Sequence, residues 1–451
     1  MVRDLTTGKP ASILWRFTLP LFVSAVFQQL YNIADSVIVG NFASNTEDAV
    51  AAVGASYPIT MIFMCIAFGF NVGCSVVISQ LFGAKHYNDM RTAVTTTLIS
   101  SAIISLVLTV LGIFLSRPML LMINTPENIL PDATAYLKIY TGGFVFLFLY
   151  NAATGIFTSL GDSKTPLLFL IGSSISNILV DYLFVAVFHM DVEGVAWATF
   201  ICQGIACILA LITLKRRVSE VPITGRPAVF SGRMLRKIIR IAIPSILQQS
   251  FVSVGNIVIQ NLVNSYGSSV IAGYASAIKI NTFSVTCFGT LGNGLSSYAA
   301  QNMGAGKLDR VKQGERAGIA MCLGLATVFF LLCFFAGRPL LQLFMKDVSE
   351  DALSTGMTFL KIVSPFYYFV AIKVMTDGLL RGAGAMSAFM TSTFSDLILR
   401  VSLAFILSVP YGATGIWSSW PLGWVIGAAV ALLFYFRGSW KPGKRKKSIV
   451  E

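Results

Sequence analysis

The chain has 451 residues, of which 55% are hydrophobic and only 12% are charged. Soluble globular domains are about a quarter charged, so this composition excludes an ordinary soluble domain and indicates a membrane protein. The formal net charge of +13 would also suit a nucleic-acid-binding protein, but the positions of the basic residues argue otherwise.

Apolar runs recur along the whole chain, each long enough to cross a bilayer core of about 30 Å. Such long runs are typical of helices and not of the short alternating strands of a β-barrel. The sequence predicts twelve spans, at 13–40, 52–82, 92–116, 134–159, 166–189, 194–214, 238–265, 271–302, 315–337, 357–381, 387–409 and 414–436. The predicted fold class is therefore an all-α polytopic membrane protein with twelve transmembrane helices.

The basic residues are distributed unequally between the two sides of the predicted membrane. Of the 33 Lys and Arg residues, most lie at the N-terminus, in the even-numbered loops and in the C-terminal tail. The opposite side holds Arg117, Arg338 and Lys346. Because basic residues accumulate on the cytoplasmic side, both termini are predicted to be cytoplasmic, with the tail near anionic lipid headgroups. The membrane topology thus explains the net positive charge of the chain, and no nucleic-acid partner is expected.

One long polar segment, 215–240, divides the spans into six and six. The predicted domains are an N-terminal six-helix lobe at 1–214, a cytoplasmic linker at 215–237, a C-terminal six-helix lobe at 238–436 and a basic cytoplasmic tail at 437–451.

The two halves resemble each other in sequence. "FNVGCSVVISQLFGAKHYND" at 70–89 matches "LGNGLSSYAAQNMGAGKLDR" at 291–310, with Gly73 opposite Gly294 and Gln80 opposite Gln301. An even number of spans per copy gives both copies the same orientation, so we expect two bundles related by a pseudo-twofold axis along the membrane normal. This architecture suits alternating access, although a duplication could also serve stability alone.

Of the 20 acidic residues, four are predicted to lie well within spans: Asp35, Asp181, Asp377 and Asp396. Each costs about 2.5–3.5 kcal/mol at a helix centre on insertion scales. Each therefore needs a partner or a function.

Two of these acids have basic residues on their own helices. Asp377 follows Lys373 by four residues, and Asp396 precedes Arg400 by four, which is the spacing of neutralising pairs on a helix. Lys279, in the eighth span, has no such local partner, so Asp377 or Asp396 is its candidate partner across helices. We interpret this lobe as one of internal charge pairs.

Asp35 and Asp181 have no basic residue three or four positions away. Polar, uncharged residues share the faces of these helices and of the fourth and sixth spans: Gln28, Asn32, Asn151, Thr154, Asn177, Thr199 and Gln203. With the polar faces inward, the sequence predicts a pocket of oxygen ligands around two carboxylates. Such a pocket suits a hard cation, here Na⁺, or a proton that loads and leaves the carboxylates. The alternative is that both acids only hydrogen-bond neighbouring helices.

Several motifs together resemble one known family. They are "SQLFGAK" and "AQNMGAG" at the ends of the second and eighth spans, "NIADSVIVG" in the first and "SNILVDYLF" in the fifth. Over essentially its whole length the chain is similar to prokaryotic multidrug and toxic compound extrusion (MATE) transporters, and most similar to their DinF-like branch.

The resemblance implies a V-shaped pair of six-helix bundles in a bacterial or archaeal plasma membrane. Such proteins export amphiphilic, often cationic, compounds in exchange for Na⁺ or H⁺, without a cofactor, and the internal duplication makes a monomer sufficient. Carried over by residue, the family's cation site falls on Asp35, Asn177, Asp181 and Thr199. Its helix-bending proline falls on Pro20. Another branch has an acid in the seventh span that is absent here, so coupling through the first lobe is expected.

Two other functions fit the sequence less well. A flippase for lipid-linked saccharides, from the same superfamily, would favour a strongly cationic cavity and more than twelve spans. A membrane-embedded enzyme would need a nucleophile, metal ligands or a catalytic base, and no such constellation is evident. The absence of a GxxxxGK[ST] motif also makes ATP hydrolysis an unexpected activity. The leading hypothesis is a transporter and not an enzyme.

Overall fold

The computed structural model describes residues 2–42, 46–188, 190–344 and 349–442, with side chains over the same ranges apart from 32–42, 46–50 and 191–192. The described residues are overwhelmingly helical and include no β-strand, so the all-α prediction is confirmed. The helices are α1 (Pro10–Phe42), α2 (Thr46–Gly83), α3 (Tyr87–Met122), α4 (Leu130–Gly142), α5 (Phe144–Ser159), α6 (Lys164–Tyr182), α7 (Asp191–Ser219), α8 (Gly232–Asn264), α9 (Ser268–Gly304), α10 (Leu308–Phe335), α11 (Gly337–Gln342), α12 (Glu350–Val363), α13 (Tyr367–Gly382) and α14 (Met386–Phe436).

Nine helical segments of the described chain are long and apolar enough to cross a membrane, and α4 with α5, bent by 43°, makes a tenth. Helix α9 is more polar but has 37 residues. Helix α14 has 51 residues, which at about 1.5 Å per residue would be more than twice as long as the bilayer core. Counting α9 as one span and α14 as two accounts for the twelve predicted spans.

Helix α14 is divided by Gly412, whose φ of 56° and ψ of −142° are not helical. A positive φ is readily adopted only by glycine, which explains why the helix breaks at this residue. Gly412 lies between the predicted eleventh span, which ends at 409, and the twelfth, which begins at 414. The Tyr266 hydroxyl donates to the Ser408 carbonyl oxygen (3.2 Å) just before the break. The tenth predicted span is likewise composite, because a 3₁₀ turn at Ser364–Phe366 joins α12 to α13.

The contacts divide the chain into two compact units, of which unit 1 contains Met1–Asp4 and Val23–Ile246. Its core includes a run of edge-to-face aromatic rings from α2 and α5. Phe63 and Phe148 both pack against Phe144, at centroid distances of 5.1 and 5.6 Å. Burying such rings excludes water from the interior of the bundle.

Unit 2 contains Leu5–Phe22 and Leu247–Glu451. Its core is also aromatic: Tyr274 of α9 stacks on Trp417 of α14 at 4.9 Å, and Phe359 of α12 meets both rings edge to face. The N-terminal segment belongs to this unit through polar contacts. The Leu5 N–H donates to Gln301 Oε1 (2.9 Å), and Arg310 donates to the Gly8 carbonyl (2.6 Å).

The units differ from a simple division of the chain at the linker. Helix α1 passes from unit 2 to unit 1 after Phe22, and α8 passes from unit 1 to unit 2 after Ile246. Each passage lies two residues beyond an internal proline, Pro20 or Pro244. The predicted lobes, which end at 214 and begin at 238, were defined by the order of the spans along the chain, and these limits stay a prediction. Helices α7 and α8 extend into the predicted linker, leaving 220–231 between them.

Candidate functional site

The start of α6 is tied to the end of α7 by Asp162. This carboxylate accepts hydrogen bonds from the Thr165 N–H (3.2 Å) and hydroxyl (2.8 Å), and Arg217 Nε lies 3.5 Å from it. Burial raises the pKa of Asp162, but hydrogen bonds, among them those from Thr165, lower it by more, so that the pKa lies below its ordinary 3.8. The ionised carboxylate therefore fixes where α6 begins.

The inward face of α6 carries three polar residues at helical spacing. Ser174, Asn177 and Asp181 are only 7%, 4% and 0% exposed. One residue beyond Asp181 the α-helix gives way to a π-helical turn at Leu183–Val187. Such turns occur frequently at functional sites. A buried carboxylate thus lies at the end of an α-helical segment.

Helix α7 lies against this face of α6. Its Cys202 lies near Asn177 and within electrostatic range of Asp181. Thr199 and Gln203, one turn or less from Cys202, are half-buried. The structure thus brings Asn177 and Asp181 together with the α7 segment that carries Thr199.

The polar residues of α5 are engaged with their own helix. Asn151 Nδ2 donates to the Leu147 carbonyl and the Thr154 hydroxyl to the Tyr150 carbonyl, both at 2.9 Å. The sequence analysis overlooked Asn71 of α2, whose Nδ2 donates to the Asn151 carbonyl at 2.7 Å. A lone asparagine in the apolar "FGFNVG" was the only available signal.

The remaining predicted residues of this site belong to α1. Pro20 is a buried residue inside that helix, and Gln28 is half-buried. Asn32 and Asp35 lie within α1, but their side chains are outside the described residues. Among the side chains that are described, no group of three His, Cys, Asp or Glu forms a metal-binding cluster. The predicted Na⁺ ligands Asn177, Asp181 and Thr199 offer the oxygen atoms that a hard cation prefers.

Unit 2 contains a buried cluster of charges. Lys373 Nζ lies 2.8 Å from Asp377 Oδ2 on its own helix and 3.8 Å from Asp396 Oδ2 on α14. All three side chains are less than 10% exposed. Lys279 instead lies 5.9 Å from the centre of the Phe344 ring. Lys373 is therefore the base that the structure places against both aspartates.

The two segments of α14, before and after Gly412, meet around this cluster. The Arg400 guanidinium of the first segment lies 4.3 Å from the centre of the Trp420 ring on the second segment. This is a cation–π contact. A Cβ atom at Gly427 would lie 2.6 Å from Lys373 Cε, and one at Gly423 would lie 2.6 Å from Asp396 Oδ1. Glycine is needed at both positions because no side chain fits beside the charges.

The buried acid Glu315 was missed by the sequence analysis. It is 1% exposed, and its Oε1 accepts a hydrogen bond from the Thr376 hydroxyl at 2.9 Å. Helix α10 begins at Leu308, so Glu315 lies two turns inside a helix whose predicted span began at 315. The repeat contained a signal, because the 221-residue offset aligns Glu315 with the buried Val94.

Comparison with known proteins identifies the family. The MatE family model matches residues 20–183 and again 244–406. This chain is a member of the MatE family. A match in each half is what an internal duplication predicts. The DinF-like branch stays a prediction.

Relatives cover nearly the whole MATE chain. It is 28% identical to the probable multidrug resistance protein YpnP of Bacillus subtilis, over 98% of each chain. It is 24% identical to the multidrug export protein MepA of Staphylococcus haemolyticus, over 89% of this chain and 88% of that one. A further relative, 23% identical over 89% of this chain and 87% of its own length, is named an FAD transporter of Shewanella oneidensis. Members of this family are multi-pass membrane transporters and not enzymes.

Solved structures share the fold. One is described as the outward-facing conformation of a multidrug resistance MATE family transporter of the MOP superfamily. It superposes with a TM-score of 0.89 at 22% identity, with 97% of both chains covered. A second, a MATE protein in complex with MaL6, superposes with a TM-score of 0.90 at 22% identity, over 97% of this chain and 98% of that one.

Proposed function

We propose that this MATE transporter exports small amphiphilic organic cations in exchange for H⁺ or Na⁺, bound at Asp35, Asn177, Asp181 and Thr199. The observation that supports this proposal most is the complete burial of Asp181, one turn beyond the buried Asn177. A carboxylate within a transmembrane helix costs about 2.5–3.5 kcal/mol. An asparagine would hydrogen-bond neighbouring helices at a lower free-energy cost. The presence of an aspartate therefore indicates that its negative charge has a role in transport.

In the proposed cycle, an entering cation neutralises the carboxylates of Asp35 and Asp181, and its departure restores the negative charge that attracts a cationic substrate. Gln28, Asn32, Asn151, Thr154 and Gln203 line the cavity for that substrate. The internal proline Pro20 lets α1 bend, because it lacks the N–H that would continue the helical hydrogen bonds. Exchange follows if the coupling ion and the substrate favour different conformations.

The surroundings of this transporter follow from the charge distribution. We place it in a bacterial plasma membrane with both termini in the cytoplasm, the basic tail against anionic lipids, and no need for a second subunit. No nucleic acid takes part.

The test is transport into proteoliposomes that contain the purified protein and a fluorescent organic cation. H⁺ and Na⁺ gradients are imposed separately on wild type, Asp35→Asn, Asp181→Asn and Asp132→Asn. The exposed Asp132 at the start of α4 is the matched control. We expect one gradient to drive transport, Asp35→Asn and Asp181→Asn to abolish it, and the control to transport normally.

The outcomes separate the ion and the substrate class. The gradient that drives transport identifies the coupling ion. Normal transport by Asp35→Asn and Asp181→Asn would show that the site is structural and would overturn the proposal. Transport of FAD without transport of any organic cation would show that the proposed substrate class is wrong. The Asp35 and Asp181 variants would then be tested with FAD as the substrate.

A further inference from the structure

The side chain of Glu315 lies in the interior of unit 2 with very few polar neighbours. It is 1% exposed, and the Thr376 hydroxyl donates to its Oε1 at 2.9 Å. Its Oε2 has no hydrogen-bond partner among the described residues. Among the described residues, the carboxyl group therefore has one hydrogen-bond donor. An ionised carboxylate in a dry interior needs several such donors.

The basic residues of α13 nearest in the chain to Thr376 have other partners. Titratable or charged residues of α10 and of helices near it include Lys373, Asp377 and Arg381 on α13, Tyr298 on α9, Lys361 on α12, Tyr435 on α14, Arg16 on α1 and Lys312 and Arg316 on α10 itself. Lys373 pairs with Asp377 and Asp396. Arg381 donates to Asn293. In the described part of the chain, no basic group lies within salt-bridge distance of the Glu315 oxygens.

The charge of Asp377 is unfavourable to an ionised Glu315. Asp377, adjacent in sequence to the hydrogen-bonding Thr376, lies within electrostatic range of the carboxyl group. Tyr435, also in electrostatic range, contributes a phenol and no positive charge. Leaving one buried hydroxyl unpaired costs far less free energy than burying an isolated charge.

We propose that Glu315 is a proton-binding site of unit 2, separate from the Asp35–Asp181 site, that takes up one proton from water as a carboxylic acid positioned by Thr376. Loss of that proton places a second negative charge beside Asp377, which competes for Lys373. Glu315 thus connects proton binding to the charge cluster of α13 and α14. This inference goes beyond the proposed function and does not depend on it, because it concerns a different unit and a different acid.

Infrared difference spectroscopy during a pH titration tests the site without any transport assay. The protein is studied in lipid nanodiscs as wild type, Glu315→Gln, Thr376→Val and the control Glu350→Gln, whose glutamate side chain is 77% exposed in the wild type. We expect wild type and the control to show a carbonyl band of a buried protonated carboxyl at neutral pH, and Glu315→Gln to lose it. Glutamine keeps an oxygen that accepts from Thr376, so this variant should fold.

Thr376→Val provides a second, independent readout. Removing the Thr376 hydroxyl, which donates to the Glu315 carbonyl, should shift its band to a higher wavenumber while the band persists. Identical spectra for wild type and Glu315→Gln would overturn the proposal, as would an unshifted band in Thr376→Val. Because the spectra need neither substrate nor gradient, these outcomes are independent of whether the Asp35 and Asp181 variants transport.

Discussion

Replacing Lys373 by methionine would leave two buried aspartates without the cation that they share. The Lys373 Nζ atom lies 2.8 Å from Asp377 Oδ2 and 3.8 Å from Asp396 Oδ2, with all three side chains less than 10% exposed. Methionine fills a similar volume and keeps the apolar stem. The substitution therefore tests the charge and not the packing.

The size of the effect follows from these distances. At an effective dielectric constant of about 20, the two attractions are worth about 6 and about 4 kcal/mol. The desolvation of the lysine offsets much of this, and removing one member of a buried pair costs about 3–5 kcal/mol in measured cases. We expect Lys373→Met to lose about that much free energy of unfolding. The double variant Lys373→Met/Asp377→Asn should lose less than the sum of the single variants, by about 1–3 kcal/mol.

The assay is denaturant-induced unfolding of the purified protein in detergent, followed by tryptophan fluorescence. The matched control is Lys312→Met, which removes a pair of similar helical spacing at 3.2 Å whose members are 42% and 88% exposed. That exposed pair should be worth less than about 1 kcal/mol. Equal losses for Lys373→Met and Lys312→Met, or strictly additive single variants, would refute the reasoning.

Two further predictions concern helix packing. Because the native pKa of Asp162 is below its ordinary value, its stabilising effect is complete above the unfolded pKa of about 3.9 and is lost as pH falls through the native pKa. Thermal unfolding should therefore show Asp162→Asn to be less stable than wild type at neutral pH and equal to it near pH 2, and a pH-independent difference would contradict this. A Cβ atom at Gly378 of α13 would collide with the Gly292 carbonyl oxygen of α9, whereas one at Gly324 meets nothing within 4 Å. Gly378→Ala should cost at least about 1–3 kcal/mol in the same unfolding assay, and Gly324→Ala should cost nothing; equal stabilities would be inconsistent with the close helix contact.

The overall architecture was readable from the sequence because a bilayer imposes it. Each crossing needs about 20 apolar residues, so the runs could be counted and the break at Gly412 fell between two of them. The duplication was visible because both copies retain landmarks such as Gln80 and Gln301. The spacing of Lys373 and Asp377 is equally local, since residues four apart face one another on any helix.

The helices, their duplication and the residues that share one helical face could therefore be predicted from the sequence. Which of those faces meet is known only from the packing of the folded chain. Glu315 is buried because α10 packs against Thr376 of α13, and Asn71 reaches Asn151 because α2 packs against α5. The assignment of residues 5–22 to unit 2 depends on partners almost 300 residues away, such as Gln301. Burial and contacts between helices depend on residues distant in the chain, and helical periodicity specifies only which residues share a face of one helix.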